Sequence, residues 1–193
     1  MERIKKEDKE RVMEIINKVG SEEYETSWDD NGVPISKRKS KVKEGRISRA
    51  RGARFELKVR QDLERKGRVV DKWSNNIDLE QGKITPAKRK YNPFKKVLVI
   101  GTGFPDFIST KHVSGELYSV IGVEVKINGI LSKIEKEKCM WYLDNKTFSQ
   151  IWIAKAVKKG RKIEVEYYDF LEKYGHKFSK SKKVKEKTPT KAQ

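Results

Sequence analysis

The chain has 193 residues, of which 35% are hydrophobic and 38% are charged, and its formal net charge at pH 7 is +18. That length suits one compact domain with extensions, and so large a positive excess is typical of proteins that bind polyanions, nucleic acid above all. The single cysteine, Cys139, excludes an internal disulfide framework and predicts an intracellular location, in the cytoplasm of a cell or of an infected host. No apolar run approaches membrane-spanning length, and the opening MERIKKEDKE predicts no secretory signal.

Two segments precede the predicted main domain. Residues 1–20 predict an amphipathic helix, because apolar residues fall on one stripe and Gly20 follows as a stop. The stripe consists of Ile4, Val12, Ile15, Ile16 and Val19. It needs a partner, which is either the main domain or a second subunit. Residues 21–47 are polar and turn-rich, and they become strongly basic from Lys37, so they predict a mobile linker that ends in a basic arm.

Residues 48–175 predict a mixed α/β domain with a central sheet flanked by helices. A helix is predicted over 48–66, where apolar residues recur every four positions, and another over 130–145. The predicted strands are RVVDKW, VLVIG, DFIST, ELYSVIGVEVKI, QIWIAKAVKKG and KIEVEYYDFL.

Two further segments predict irregular structure. The stretch from Ser74 to Lys96 contains two prolines and a Lys/Arg cluster, so it predicts a long inserted loop of functional importance. Residues 176–193 are rich in lysine and poor in apolar residues, so they predict a disordered basic tail.

The segment GTGFPDFISTKHVSGELYSVIGVEVKING carries charged groups within an apolar strand pattern. Because side chains alternate along a strand, Glu124 and Lys126 point to the same face. Asp106 begins the preceding strand, and pairing of the two strands as a hairpin brings it towards Glu124. Two close carboxylates repel each other unless a divalent cation lies between them. With a lysine beside that cation, the pattern predicts metal-assisted phosphodiester hydrolysis. The alternative is an ordinary ion pair on an exposed sheet face, because Glu-x-Lys alone is common.

Three motifs, in this order, resemble the PD-(D/E)xK nuclease superfamily. They are RGARFE at 51–56, PDF at 105–107 and EVK at 124–126, and the resemblance covers roughly residues 48–158. The first motif is similar to that of endonucleases of the archaeal Holliday junction resolvase type. This resemblance extends to members from archaeal viruses and plasmids. The resemblance implies a restriction-endonuclease-like core and a metal-dependent endonuclease that acts on DNA.

The resemblance also implies a role for each matching residue. Asp106, Glu124 and Glu56 would bind Mg²⁺, for which Mn²⁺ can substitute, together with the carbonyl oxygen of Val125. Lys126 would assist the attacking water, so the catalytic set is Glu56, Asp106, Glu124 and Lys126. Without the resemblance, Glu56 is explained by the helix dipole, although its place on the apolar face of its helix calls for a partner.

A second set of residues is predicted to hold the phosphate backbone. Its members lie in the basic stretch from Lys37 to Arg54, in the inserted loop and on the helix after the Glu-x-Lys strand. A loop serine joins them by resemblance to the resolvases. They are Arg49, Arg51, Arg54, Ser74, Lys88, Arg89, Lys90 and Lys138. The plainer interpretations are a turn serine for Ser74 and a solvated lysine for Lys138.

The predicted function is therefore that of a Mg²⁺-dependent endodeoxyribonuclease. Similarity to the resolvases implies a homodimer and a branched substrate such as a four-way junction. The long stretch from Ser74 to Gly103 and both terminal extensions depart from the compact resolvases, and restriction-type, repair, viral and plasmid nucleases share the same core, so the substrate stays open. The alternative function is a non-catalytic DNA-binding protein on a nuclease-like fold, against which the presence of all four polar positions argues.

Overall fold

The computed structural model describes residues 6–19, 21–28, 34–87, 89–92, 97–100 and 103–185. The chain divides into two compact units, residues 1–53 and 54–193. The boundary between them falls inside the long helix Lys39–Arg65.

The first unit contains a helix, a β-hairpin and the start of a second helix. These elements are α1 (Lys6–Val19), β1 (Tyr24–Trp28), β2 (Pro34–Arg38) and α2 (Lys39–Arg65). β1 and β2 pair antiparallel, and α1, which lies where the sequence predicts a helix, contacts both strands. Four apolar side chains of α1 are each more than half exposed, namely Val12, Met13, Ile16 and Val19.

The structure corrects the prediction of a mobile linker over residues 21–47. The hairpin and the first residues of α2, which begins at Lys39, together occupy most of the described part of that segment. Polar composition conceals a period of two, because Tyr24 and Thr26 are half-buried while their neighbours in β1 are exposed. The hydroxyl groups of Thr26 and Ser36 hydrogen-bond across the hairpin at 3.2 Å, which supports its register.

The second unit is built on a five-stranded sheet. Its strands and hairpins are β3 (Val69–Lys72), β4 (Asn75–Asp78), β5 (Lys83–Pro86), β6 (Arg89–Asn92), β7 (Val97–Ile100), β8 (Phe107–Ser114), β9 (Leu117–Val125), β10 (Gln150–Lys159) and β11 (Lys162–Asp169). The sheet has the order β11–β10–β9–β8–β3. β9 and β10 are parallel and the other neighbours are antiparallel, so the sheet is mixed. The predicted α/β class with a central mixed sheet and flanking helices is confirmed.

Each face of the sheet is covered by helices. The second half of α2 covers one face, where Phe55, Val59 and Leu63 pack against strand residues such as Phe107 and Val123. Two later helices cover the other face, α3 (Lys133–Asp144) and α4 (Phe170–Lys185). The core on that side is formed by residues that include Cys139, Tyr142, Phe148, Ile151, Ile153 and Phe170. Burial of these two apolar layers is what fixes the sheet between its helices.

The structure also corrects the prediction of an irregular loop between the first two strands of the sheet. Two antiparallel hairpins, β4–β5 and β6–β7, lie in this insertion. Ile77 in β4 is buried in the core, which a solvated loop would not provide. Of the predicted phosphate-binding residues here, Arg89 and Lys90 open β6, and Lys88 lies outside the described residues.

The insertion returns to the sheet next to the point where it leaves. A Cβ atom on Gly103 would lie 2.1 Å from the carbonyl oxygen of Trp73 and 2.5 Å from that of Asn75, so only glycine fits. Phe104 donates its N–H to the Asn75 carbonyl at 2.8 Å, and Trp73 donates its N–H to the Asp106 carbonyl at 3.1 Å. These contacts fix the turn that precedes β8.

The predicted disordered tail from residue 176 is corrected as well, because α4 continues to Lys185. Phe170, Tyr174 and Phe178 recur every four residues, and their rings stack with centroid distances of 5.6 and 6.1 Å from Phe170. This aromatic row gives a lysine-rich helix an apolar side. Residues 186–193 lie outside the described part of the chain. No described helix is both long and apolar enough to cross a membrane.

Candidate active site

Three neighbouring strands have a terminus at the same end of the sheet. Lys72 ends β3 opposite Phe107, which begins β8, and Phe107 in turn lies opposite Val123 near the end of β9. Asp106 therefore lies beside the end of β9. The backbone N–H of Val125 donates a hydrogen bond of 2.8 Å to Asp106 Oδ2. The structure thus brings the Pro-Asp turn to the Glu-x-Lys strand, as the hairpin prediction requires.

Glu124 is a buried carboxylate with one unsatisfied oxygen. Only 4% of the residue is exposed, although it lies in an apolar part of the sheet. Its Oε1 lies 3.0 Å from Lys126 Nζ, while Oε2 is buried with no hydrogen-bond partner among the described residues. Burial, and then the neighbouring charge of Asp106, raise the pKa of Glu124 to about 8. An orphaned buried carboxylate oxygen is costly, and either a proton or a cation would reduce that cost.

Asp106 is influenced by carboxylates on both sides. Burial raises its pKa, the N–H of Val125 acts in the opposite direction, and the charge of Glu56 raises the pKa further, so that the net shift is upward. Glu56 reaches this position from α2 and forms an ion pair of 3.3 Å with Lys72 at the end of β3. The charge of Glu56 therefore acts on Asp106, and the charge of Asp106 acts on Glu124.

These carboxylates do not form a ready-made metal cluster. Within the described residues, no group of three or more His, Cys, Asp or Glu side chains is gathered closely enough to hold an ion. The chemistry of the donor set nevertheless fits a hard divalent cation, because such cations prefer carboxylate and carbonyl oxygens. The unpaired Oε2 of Glu124 and the raised pKa of both Asp106 and Glu124 agree with that fit, since an added positive charge would satisfy the oxygen and lower both pKa values.

Lys126 is held between two carboxylates. Its ammonium group lies 3.0 Å from Glu124 Oε1 and 2.6 Å from Glu135 Oε1. Burial opposes the charged form of Lys126, but the ion pairs with Glu135 and Glu124 outweigh burial and raise its pKa. The lysine is consequently an ammonium group throughout the neutral range.

Sequence reasoning missed Glu135, which belongs to the same network. It is the third residue of α3, and Ser132 caps this helix: Glu135 Oε2 accepts the N–H of Ser132 at 2.7 Å, while Ser132 Oγ accepts the N–H of Glu135. Burial opposes the ionised form of Glu135, but the bonds from Lys126 and Ser132 lower its pKa overall. The signal was present as SKIE, a capping box of the type S-x-x-E just after the strand that carries Lys126.

The other predicted site residues, which are those expected to bind the phosphate backbone, are not part of the carboxylate network. Arg49, Arg51 and Arg54 are exposed on α2, and Ser74 is exposed between β3 and β4. Lys138 is not a solvated helix lysine, because its ammonium group donates to Asn76 Oδ1 at 2.7 Å. It therefore joins α3 to the insertion, within the second unit.

Comparison with known proteins adds no assignment. No family model matches this chain, and searches of curated proteins and of solved structures likewise yield no match. The functional interpretation therefore depends on the residues and geometry of this site.

Proposed function

We propose that this protein is a Mg²⁺-dependent endonuclease that hydrolyses DNA phosphodiester bonds on a restriction-endonuclease-like core. The observation that carries the proposal is the pairing of the half-buried Asp106 with the buried Glu124. Glu124 Oε2 has no described partner, and an ammonium group lies next to Oε1. The formal net charge of +18 supports a polyanionic substrate.

Each residue of the site has a distinct task in this proposal. Asp106 and Glu124 hold the cation, with Glu56 and the carbonyl of Val125 completing its protein ligands. When bound, Mg²⁺ or Mn²⁺ supplies Lewis acidity and stabilises negative charge on the phosphate. The N–H of Val125 keeps the Asp106 carboxylate oriented towards the end of β9.

Lys126 acts as a cation rather than as a general base. Its ion pairs with Glu124 and Glu135 keep it protonated, so it donates hydrogen bonds to the attacking water or to a phosphate oxygen. A lysine can remove a proton from water only in its neutral amine form, and Lys126 is protonated at neutral pH. In this assignment Lys126 stabilises negative charge and does not remove the proton from water.

The DNA backbone is held outside the carboxylate cluster. Arg49, Arg51 and Arg54 are exposed cations on α2, and Lys138 and Ser74 flank the insertion. Lys88, Arg89 and Lys90 complete this proposed set by sequence position. The protein works inside a cell or in the cytoplasm of an infected host.

The proposed assembly is a homodimer that acts on branched DNA. The exposed apolar side chains of α1 support it, because burying such a row against its copy removes apolar surface from water. Two identical sites related by a two-fold axis match two symmetric strands of a four-way junction. Light scattering is expected to give a dimer mass for the full chain and a monomer mass for Ile16→Glu. Faster cleavage of a fixed junction than of a linear duplex with the same arms checks the substrate.

Nicking of supercoiled plasmid tests the proposed activity. The full-length protein is incubated with Mg²⁺, with Mn²⁺ or with EDTA, and Asp106→Asn serves as the control for contaminating nucleases. Cutting that needs the metal and the aspartate supports the proposal. DNA binding in EDTA with no cut in either metal would identify a non-catalytic binding protein instead.

A further inference from the structure

Two hairpins at opposite ends of the central sheet carry different charges. The hairpin between β8 and β9 has the sequence HVSGELY over residues 112–118, with one acidic residue and no lysine or arginine. The hairpin between β10 and β11 has the sequence KKGRK over residues 158–162, with four basic residues and no acidic one. A basic surface that merely keeps the protein soluble gives no reason for this sorting.

The basic hairpin projects from the end of the sheet that holds the candidate active site. β9 and β10 are parallel, with Glu124 beside Ile153 and Val125 beside Ala154. β10 therefore continues in the direction in which β9 reaches the site. The β8–β9 hairpin lies at the opposite end, because β8 begins at the site and runs away from it.

The hairpin extends well beyond the sheet as a two-stranded ribbon. The last backbone bonds between β10 and the segment after β9 are Lys126 N–H to the Ala154 carbonyl at 2.9 Å and Ala156 N–H to the Ile127 carbonyl at 3.2 Å. The β10–β11 ladder continues to the pair Lys159 and Lys162. From Ala154 to Lys159 the strand advances about 17 Å at about 3.3 Å per residue, which corresponds to about five base pairs of duplex DNA.

Glu164 and Glu166 of the ribbon each form an ion pair with a lysine, whereas three of the cations at its tip form no ion pair with a described carboxylate. Lys155 pairs with Glu166 at 3.2 Å and Lys159 pairs with Glu164 at 2.7 Å. Among the described residues, no carboxylate forms an ion pair with the three other cations of the tip. These are Lys158, Arg161 and Lys162, all of which are exposed. Such groups are available to phosphate oxygens at little desolvation cost.

The ribbon is also anchored to the helix that carries Glu56. The ammonium group of Lys58 donates a hydrogen bond to the carbonyl oxygen of Ile163 in β11. Arg54 lies one turn before Lys58 on the same helix and is exposed. The positive charge of the tip thus continues onto α2, which Lys58 joins to β11.

We infer that the β10–β11 tip is a DNA-backbone arm that binds phosphates about five base pairs from the scissile phosphate. The inference rests on the proposed function, because it takes duplex DNA as the ligand of the same site. The arm carries four cations within residues 158–162. In contact with phosphates, these cations contribute affinity and position.

A charge-matched pair of variants tests the arm. The first is the triple variant Lys158→Gln, Arg161→Gln and Lys162→Gln. The control removes three exposed cations from the other end of the second unit, as Arg65→Gln, Lys111→Gln and Lys146→Gln. Fluorescence anisotropy of a duplex of about 30 base pairs in EDTA is measured against salt concentration. Removing one cation that binds a phosphate lowers the slope of log K against log salt by about 0.9. Cleavage is measured separately with Mg²⁺.

The arm variant is expected to lower the slope by about 2 to 3, and the control by less than about 1. Equal slopes in the two variants, in a protein that cuts DNA, would overturn the arm and leave the proposed function standing. A selective loss of slope in a protein that never cuts would support the arm and contradict the nuclease. Absence of duplex binding by the unaltered protein would contradict both.

Discussion

The backbone N–H of Val125 donates to Asp106 Oδ2 at 2.8 Å and so joins the end of β9 to the turn before β8. Because Glu124 immediately precedes Val125, this bond holds the Asp106 carboxylate near the buried Glu124. The proximity of the two carboxylates therefore depends on the β8–β9 ladder, in which Phe107 lies opposite Val123, and on the Asp106 side chain itself. Substitutions that keep the ladder are therefore expected to change the chemistry of the site without disturbing its shape.

Asp106→Asn and Glu124→Gln are each expected to abolish cleavage and to preserve DNA binding. Each removes a proposed metal ligand, and a loss of several kcal/mol of transition-state stabilisation corresponds to at least about a thousandfold in rate. Single-turnover cleavage and anisotropy in EDTA measure the two properties. Glu116→Gln, in the β8–β9 turn away from the site, is the matched control. Full activity in either site variant would remove that residue from the mechanism.

Burial of Glu124 is expected to make stability depend on pH. Its pKa is about 8 in the folded protein against 4.5 when unperturbed. The folded state therefore holds its proton more tightly, so the free energy of unfolding falls as pH rises from about 4.5 to 8 and levels off above that range. The expected loss is on the order of a few kcal/mol relative to Glu124→Gln. Chemical denaturation of both proteins across this range measures it.

Adding Mg²⁺ to the same chemical denaturation experiment provides a second test. At about pH 8 the ion is expected to stabilise the unaltered protein and to leave Glu124→Gln unchanged, because binding to the folded state alone raises its stability. A difference between the two proteins that does not vary with pH would contradict the raised pKa.

Glu135→Gln is expected to make Lys126 more reactive. The substitution removes the carboxylate at 2.6 Å that favours the ammonium form, so the pKa of Lys126 falls and more neutral amine is present at alkaline pH. The rate of acylation of Lys126, followed by peptide mass spectrometry against pH, reports the change. Ser132→Ala is the control, because it removes the other half of the capping box at a cost of about 1 kcal/mol and leaves the ion pair in place. Equal acylation rates in the two variants would show that Glu135 acts only as a cap.

Gly103→Ala is expected to destabilise the second unit by at least about 1–3 kcal/mol and to reduce cleavage. The added Cβ would meet the backbone carbonyl of Trp73 at 2.1 Å, and backbone atoms cannot yield as a flexible side chain can. The displacement reaches Asp106 through its bond with Trp73. Thermal unfolding measures the effect. Gly52→Ala is a suitable comparison, because its Cβ meets nothing within 4 Å on a helix and is expected to stabilise by up to about 1 kcal/mol.

The central sheet and its carboxylates could be predicted because their signals are local. Alternation along GVEVK places Glu124 and Lys126 on one face, and a hairpin of neighbouring strands brings Asp106 to them. The partnership of Lys126 with Glu135 could not be predicted in the same way. It depends on where α3 begins relative to the sheet, which is a tertiary relationship.

The missed elements were hidden by polar composition. The β1–β2 hairpin alternates half-buried and exposed residues, but polar and apolar residues occur in both classes, so hydropathy gives no period of two. In α4, the aromatic residues lie among lysines, and average composition conceals their spacing of four. The composition of these two segments predicts mobile or disordered chain, but the spacing of a few side chains determines their structure.

The environment that buries Glu124 is made largely from residues that follow it in the chain. β10 forms the wall of the sheet beside β9, and Cys139 and Ile153 belong to the core on the face of Glu124. During synthesis, Glu56, Asp106 and Glu124 all leave the ribosome before this wall exists. An incomplete chain therefore carries ordinary, hydrated carboxylates without the crowding that calls for a cation. Assembly of the site is therefore coupled to completion of the domain.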